Sequence, residues 1–183
     1  MTIPDLEPCP GCGAGFPRRE GPVHPYMASS PACWAAFGEV LAREYSDPAL
    51  LATHRLGVDA YAVQHPGSPS RQSNQSVGVH LIRLCLFLER GLTPQRANDA
   101  MLKAGRLKHG FVWLEPPASL GSVTVRDVLQ ADGAAAHAAM VRRWAQSAWE
   151  AWAPHHETVR AWAARAQEGS NSDRLRGPIR SRR

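Results

Sequence analysis

No stretch of this chain is apolar for long enough to cross a bilayer. Its best run, Leu84 to Leu88, falls far short of the ~20 residues a membrane helix needs. The opening Met1-Thr2-Ile3-Pro4-Asp5 lacks the basic start and apolar stretch of a secretory signal, so the expectation is a cytoplasmic protein with no membrane contact. The patterns GxxxxGK[ST], HExxH and GxSxG are all missing, which sets aside P-loop nucleotide chemistry, zincin proteolysis and the α/β-hydrolases. There is also no internal repeat at solenoid spacing. What remains is an ordinary globular composition. With 183 residues, 44% hydrophobic and 20% charged, the chain has enough apolar material for one domain, or one domain with a small appendage.

The formal charge is +5, a value that invites a nucleic-acid reading. Position argues against spreading it over the whole molecule. Arg174, Arg176, Arg180, Arg182 and Arg183 stand against the single Asp173, a net of +4 that leaves the rest near neutral. Residues 169–183, opening on Gly169-Ser170-Asn171-Ser172, read as a solvated, disordered basic tail. The alternative is an arm that contacts nucleic acid or a protein partner.

Residues 1–28 carry no periodic apolar pattern. Pro4, Pro8, Pro10, Pro17, Pro22 and Pro25 prevent regular helix, and such a segment cannot make its own core. Residues 29–168 read as a helical domain. Ser30 and Pro31 form a cap and first-turn signature for a helix to Ser46, and Asp47-Pro48 repeats it for a second helix to about His65. A third is expected from near Ser73 or Ser76 to Gly91, and a fourth from Thr93-Pro94 through Met101 and Leu102. Thr124 caps a short one to Gln130. An Ala- and Trp-rich helix follows Asp132-Gly133, and a last one runs from Pro154 to about Glu168. Phe111-Val112-Trp113-Leu114 is the one extended segment. The fold class is therefore mostly α: a helical bundle with a short Pro/Gly-rich arm and at most one short strand. Trp144, Trp149, Trp152 and Trp162 recur at helical spacing and read as core, not as a base-stacking platform.

Chemistry concentrates near the start. Two thiols in Cys9-Pro10-Gly11-Cys12-Gly13 close readily onto one tetrahedral Zn²⁺, whereas a redox dithiol needs the motif at a helix start after a strand. The motif resembles half of a zinc ribbon or treble clef. Cys33, in the first turn of the first helix, sits where the dipole and free N–H groups favour a thiolate. His24, in His24-Pro25-Tyr26, is the nearest fourth ligand, giving Cys9, Cys12, His24 and Cys33 as a Cys₃His set. Connectivity offers another. Short links make consecutive helices antiparallel, which puts Cys33 beside His65 and brings Gln64 and His80 toward the same end. Cys85, within Leu84-Cys85-Leu86, reads as a small core hydrophobe.

The other polar candidates divide by position. His54 lies eleven residues before His65 on the same helix, ~16 Å away and out of reach of one ion. Asp59 either pairs with Arg55, four residues earlier, or orients His80 across the helix interface. His155-His156 opens the last helix and could lend one imidazole to a site. His109 and His137 belong to no constellation.

The runs His24-Pro25-Tyr26-Met27 to Ser30-Pro31-Ala32-Cys33-Trp34, Val58-Asp59-Ala60-Tyr61-Ala62-Val63-Gln64-His65-Pro66 and Gln75-Ser76-Val77-Gly78-Val79-His80-Leu81 resemble an uncharacterised bacterial domain-of-unknown-function family with an N-terminal CxxC knuckle. The resemblance spans most of the first ninety residues and implies neither a reaction nor a partner. Two functions fit the residues. In the first, an open Zn²⁺ site acts on a small-molecule substrate, with His65 and His80 as ligand or general base and Gln64, Gln72 and Asp59 positioning the substrate. In the second, a closed zinc staple holds a regulatory or binding module whose basic tail meets nucleic acid or protein. Coordination separates them: four protein ligands favour the module, three plus water the enzyme.

Overall fold

The computed structural model describes residues 5–104 and 110–175. His109 and the basic tail beyond Leu175 lie outside them. The first elements are β1 (Leu6–Pro8) and β2 (Gly15–Pro17), an antiparallel pair in the register Leu6↔Pro17, Glu7↔Phe16 and Pro8↔Gly15. Helices follow: α1 (Pro31–Ser46), α2 (Leu51–Gln64), α3 (Arg71–Leu88), α4 (Pro94–Ala104), α5 (Val125–Leu129), α6 (Gly133–Ala151) and α7 (His156–Leu175). The fold is mostly α, and no helix of the described residues is long and apolar enough to cross a membrane.

Local chemistry explains most boundaries. Ser30 caps α1 by accepting the Cys33 N–H at 3.2 Å, with Pro31 at the first helical position. Asp47-Pro48 does not open α2 as the cap pattern predicts. The Asp47 carboxylate instead accepts the Ala49 N–H at 2.9 Å, closing a turn from which Leu51 starts the helix. α3 begins earlier than expected, because Ser70 takes the Ser73 N–H at 3.0 Å. α5 has a capping box between Thr124 and Asp127. α7 continues to Leu175, past the expected end at Glu168.

The core is the meeting of α2 and α3 with α6 and α7; α4 closes on α3 and α7, and α5 on α1. Trp144 and Trp152 are completely buried, and each has its indole N–H satisfied. Trp144 donates to Gln64 Oε1 at 2.7 Å and Trp152 to the Val63 carbonyl at 3.1 Å. Phe111–Leu114 forms no strand. It passes without regular secondary structure, Phe111 lying against Gly78 of α3 and edge-on to Trp162 of α7 at 5.0 Å. The sheet sits instead on either side of the Cys9–Cys12 turn, where the knuckle folds the chain back and the Cys9 N–H reaches the Ala14 carbonyl at 2.9 Å. Alternation could not reveal strands only three residues long.

Gln64 is a structural linchpin of this core. Fully buried at the end of α2, its amide donates to the carbonyls of Leu120 and Val123, both at 2.9 Å, and accepts from Trp144. Its polar atoms are thus turned inward onto protein, and the structure gives it a loop-anchoring role where the sequence suggests substrate positioning. Gln64→Leu strands two carbonyls and one indole N–H, each at a cost of ~1–3 kcal/mol. The expected loss is about 3 kcal/mol or more by denaturant unfolding, with bound metal unchanged.

Candidate metal centre

The knuckle, the start of α1 and the end of α2 converge on one point. Cys9 and Cys12 come from the β1–β2 turn, Cys33 from the first turn of α1, and His65 from the residue that caps α2. One ligand atom from each lies within 4.8 Å of all the others, and all four residues are buried. Cys12 Sγ is 3.8 Å from Cys33 Sγ, and His65 Nε2 is 3.5 Å from Cys9 Sγ and 3.4 Å from Cys33 Sγ. A tetrahedral zinc with Zn–S of ~2.3 Å and Zn–N of ~2.0–2.1 Å has edges of about 3.8 Å between sulfurs and about 3.6 Å between sulfur and nitrogen. The Cys12–Cys33, Cys9–His65 and Cys33–His65 separations match these edges, and the remaining pairs lie within 4.8 Å.

The surroundings prepare each donor. His65 Nδ1–H donates to the Tyr61 carbonyl at 2.7 Å, which fixes the tautomer and turns the Nε2 lone pair toward the sulfurs. The Tyr61 hydroxyl donates to Cys33 Sγ at 3.7 Å, and its ring stacks on His65 at 4.0 Å and on Phe37 at 3.9 Å. The Ser30 N–H points at Cys9 Sγ at 3.4 Å. Gly11 has no room for a side chain: a Cβ there would lie 2.4 Å from the Ala28 carbonyl oxygen, 2.6 Å from His65 Cδ2 and 2.7 Å from the Gln64 oxygen. Gly13, at φ +73°, supplies the left-handed turn that completes the knuckle.

The three buried thiols lie close enough to shift one another: the Cys9 thiol is drawn far down by its bonds to Cys12 and Cys33, with His65 adding to the pull. Cys12 is drawn down by Cys33 but pushed up more by its bond to Cys9, by burial and by Cys9's charge, reaching about 12. Cys33 is driven higher still by its bonds to Cys12 and Cys9 and by burial. Metal ligation needs all three as thiolates, so it displaces the protons that the raised Cys12 and Cys33 thiols hold. The metal affinity should therefore rise with pH through the neutral range. Competition titrations against a chelator of known pH dependence read this directly.

His24, the ligand suggested by proximity in sequence, lies outside the group. Its ring sits edge-on between Tyr26 at 4.4 Å and Trp34 at 5.2 Å, Nδ1 accepts the Tyr26 N–H at 3.5 Å, and burial lowers its pKa. His65 fills the position because the end of α2 is already packed beside the start of α1. His80 is not a ligand either. Its Nδ1 meets Asp59 Oδ1 at 2.7 Å, and Asp59 stands six residues before His65, about 9 Å along α2. Asp59 is buried, with Arg83 Nε 3.1 Å from its other oxygen. Gln72 is exposed on the first turn of α3. His54 and His137 share the buried Glu44 at 2.9 and 3.0 Å, while His155 and His156 bond the carbonyls of Glu115 and Trp149. Tyr61 carries no chemical signature in the sequence. Its place one turn before His65 was the available signal.

Gly11→Ala should lower both Tm and metal affinity, because the added carbon meets two carbonyl oxygens and the ligand ring. A thermal melt with a chelator titration of the same variant checks both.

Known proteins add a family but no activity. No curated protein and no solved structure matches the chain. A family model described as a family of unknown function, DUF5946, matches residues 7–153, a span that includes all four members of the Cys₃His group and all of α1 to α6. The chain belongs to this family of unknown function, DUF5946.

Proposed function

We propose that the chain is a zinc-stapled helical binding module and that its Cys₃His centre is structural, holding one Zn²⁺ with Cys9, Cys12, Cys33 and His65. The observation that carries this reading is the completeness of the donor set: four buried protein ligands whose ligand atoms lie within 4.8 Å of one another, three of the six edges at tetrahedral length. A catalytic zinc keeps one position for water or substrate, and this set leaves none. His65 is accordingly a ligand and not a general base. The chemistry of three soft thiolates and one imidazole suits zinc over magnesium, calcium or manganese. The family supplies no activity to set against this.

Zinc here does the work that a core cannot. The arm is rich in proline and glycine, and its own hairpin pairs only three residues on each side. Two of its ligands fasten it to the ends of α1 and α2. The anionic partner of such a module is nucleic acid, met through the arginine-rich stretch from Arg174 to Arg183.

Metal analysis of protein purified without chelator should give one zinc per chain, and His24→Ala should leave it intact. Cys33→Ser and His65→Ala should each lose zinc and melt early. Stripping the metal should lower Tm by roughly 10 °C or more, since each kcal/mol corresponds to about 2–4 °C at this size. Less than half an equivalent of zinc, unchanged in the Cys33→Ser variant, would overturn the reading. Deleting residues 174–183 should abolish salt-sensitive binding to duplex DNA while zinc content stays the same.

A further inference from the structure

The three thiol ligands differ in what shields them. Cys33 is fully buried, and its sulfur receives the Tyr61 hydroxyl at 3.7 Å. Cys9 is 3% exposed, with the Ser30 N–H pointing at its sulfur at 3.4 Å. Cys12 is 9% exposed, the most open of the four ligand residues. It stands between Gly11 and Gly13, so neither chain neighbour has a side chain to cover it. Gly13 is exposed, and a Cβ there would meet nothing within 4 Å, so the turn beside Cys12 opens to solvent. Cys12 Sγ also lies 3.8 Å from Cys33 Sγ, a contact that joins the arm to α1. Oxidation of cysteine follows thiolate character and exposure, and a zinc centre keeps its sulfurs as thiolates.

We propose that Cys12 and Cys33 form a peroxide-driven disulfide that opens the staple and releases its zinc. The inference rests on the zinc reading above and adds a regulation of that same site. The Cys12 thiolate attacks one oxygen of hydrogen peroxide: an S–O bond forms, the O–O bond breaks and hydroxide leaves. The Cys33 thiolate then attacks the Cys12 sulfur, forming the S–S bond and expelling the second hydroxide. The two thiolates give up two electrons together, and one peroxide is reduced to two hydroxide ions, which take up protons as water. The sulfurs close from 3.8 Å to ~2.05 Å. Only Cys9 and His65 then remain as ligands, too few for a closed zinc site. The disulfide keeps the arm tied to α1, while the metal link from the arm to His65 at the end of α2 is lost. A dithiol reductant reverses the step by thiol–disulfide exchange.

The test uses the full chain as purified, with its zinc counted first. Hydrogen peroxide is then added beside a chromogenic chelator too weak to strip the untreated protein. About one zinc should be released per disulfide formed. Tandem mass spectrometry of the alkylated, unreduced digest should place the link between Cys12 and Cys33, with the alkyl label on Cys9 and Cys85. Dithiothreitol with added zinc should restore the thiols and the metal. Cys85→Ser should release zinc at the unaltered rate, because that buried sulfur faces Glu89 at 3.7 Å and takes no part. A link through Cys9, sulfinic acid without a link, or a zinc-loaded chain that keeps its metal and thiols overturns the switch alone. A chain that carries no zinc before peroxide overturns the zinc reading and the switch together. The linkage map is made on the unaltered chain, so no variant has to fold for the decision.

Discussion

A single buried point, where three thiols and one imidazole face each other, determines how the first sixty-five residues are arranged. Four ligand atoms within 4.8 Å of one another require the β1–β2 turn, the first turn of α1 and the last residue after α2 to arrive together. The start of α1 and the end of α2 already pack through Phe37 and Tyr61, stacked at 3.9 Å, and it is the arm that the ligands bring to them. The arm has too little apolar surface, and a two-stranded hairpin of three residues per strand is unstable alone in water. The details around the point follow from that convergence. Gly11 is small because the backbone of residues 28 and 64 passes against it, and Tyr61 lies where its carbonyl, ring and hydroxyl each touch a ligand residue.

The rest of the bundle is tied by polar groups placed between helices with their partners supplied. Glu44 of α1 is completely buried and receives His54 from α2 and His137 from α6. Gln64 joins the end of α2 to the 120–123 loop and to Trp144, and Asp59 joins α2 to α3 through His80 and Arg83. Apolar packing alone permits helices to slide or rotate in small steps. Directional bonds at three levels of α2 fix its register against its neighbours. α2 is therefore the spine of the molecule, reaching from the Glu44 cluster at one end to the metal group at the other.

Much of this is legible in the sequence, for reasons that are local. Ser30-Pro31 and Thr124 with Asp127 encode helix starts chemically, and tryptophans at helical spacing encode a buried face. Cys9, Cys12 and Cys33 announce a metal site by residue type and spacing. The fourth ligand is a long-range matter. His24 is close in sequence, His65 is close in space, and only the antiparallel packing of α1 and α2 distinguishes them. The β1–β2 pair is not legible because strands of three residues leave no alternation, and Asp47-Pro48 is ambiguous because the same carboxylate that caps helices also closes turns. Gln64 had the type of a substrate contact and the burial of a core residue. Sequence shows the first and not the second.

X-ray absorption at the zinc edge is the most direct test of the proposed closed, mononuclear Cys₃His zinc centre. The expected inner shell has three sulfurs at about 2.3 Å and one imidazole nitrogen at about 2.0 Å, with no oxygen. The same spectrum should lose its imidazole scattering in His65→Ala and keep it in His24→Ala. A water or carboxylate oxygen in that shell, fewer than three sulfurs, or imidazole scattering that vanishes with His24 would contradict it.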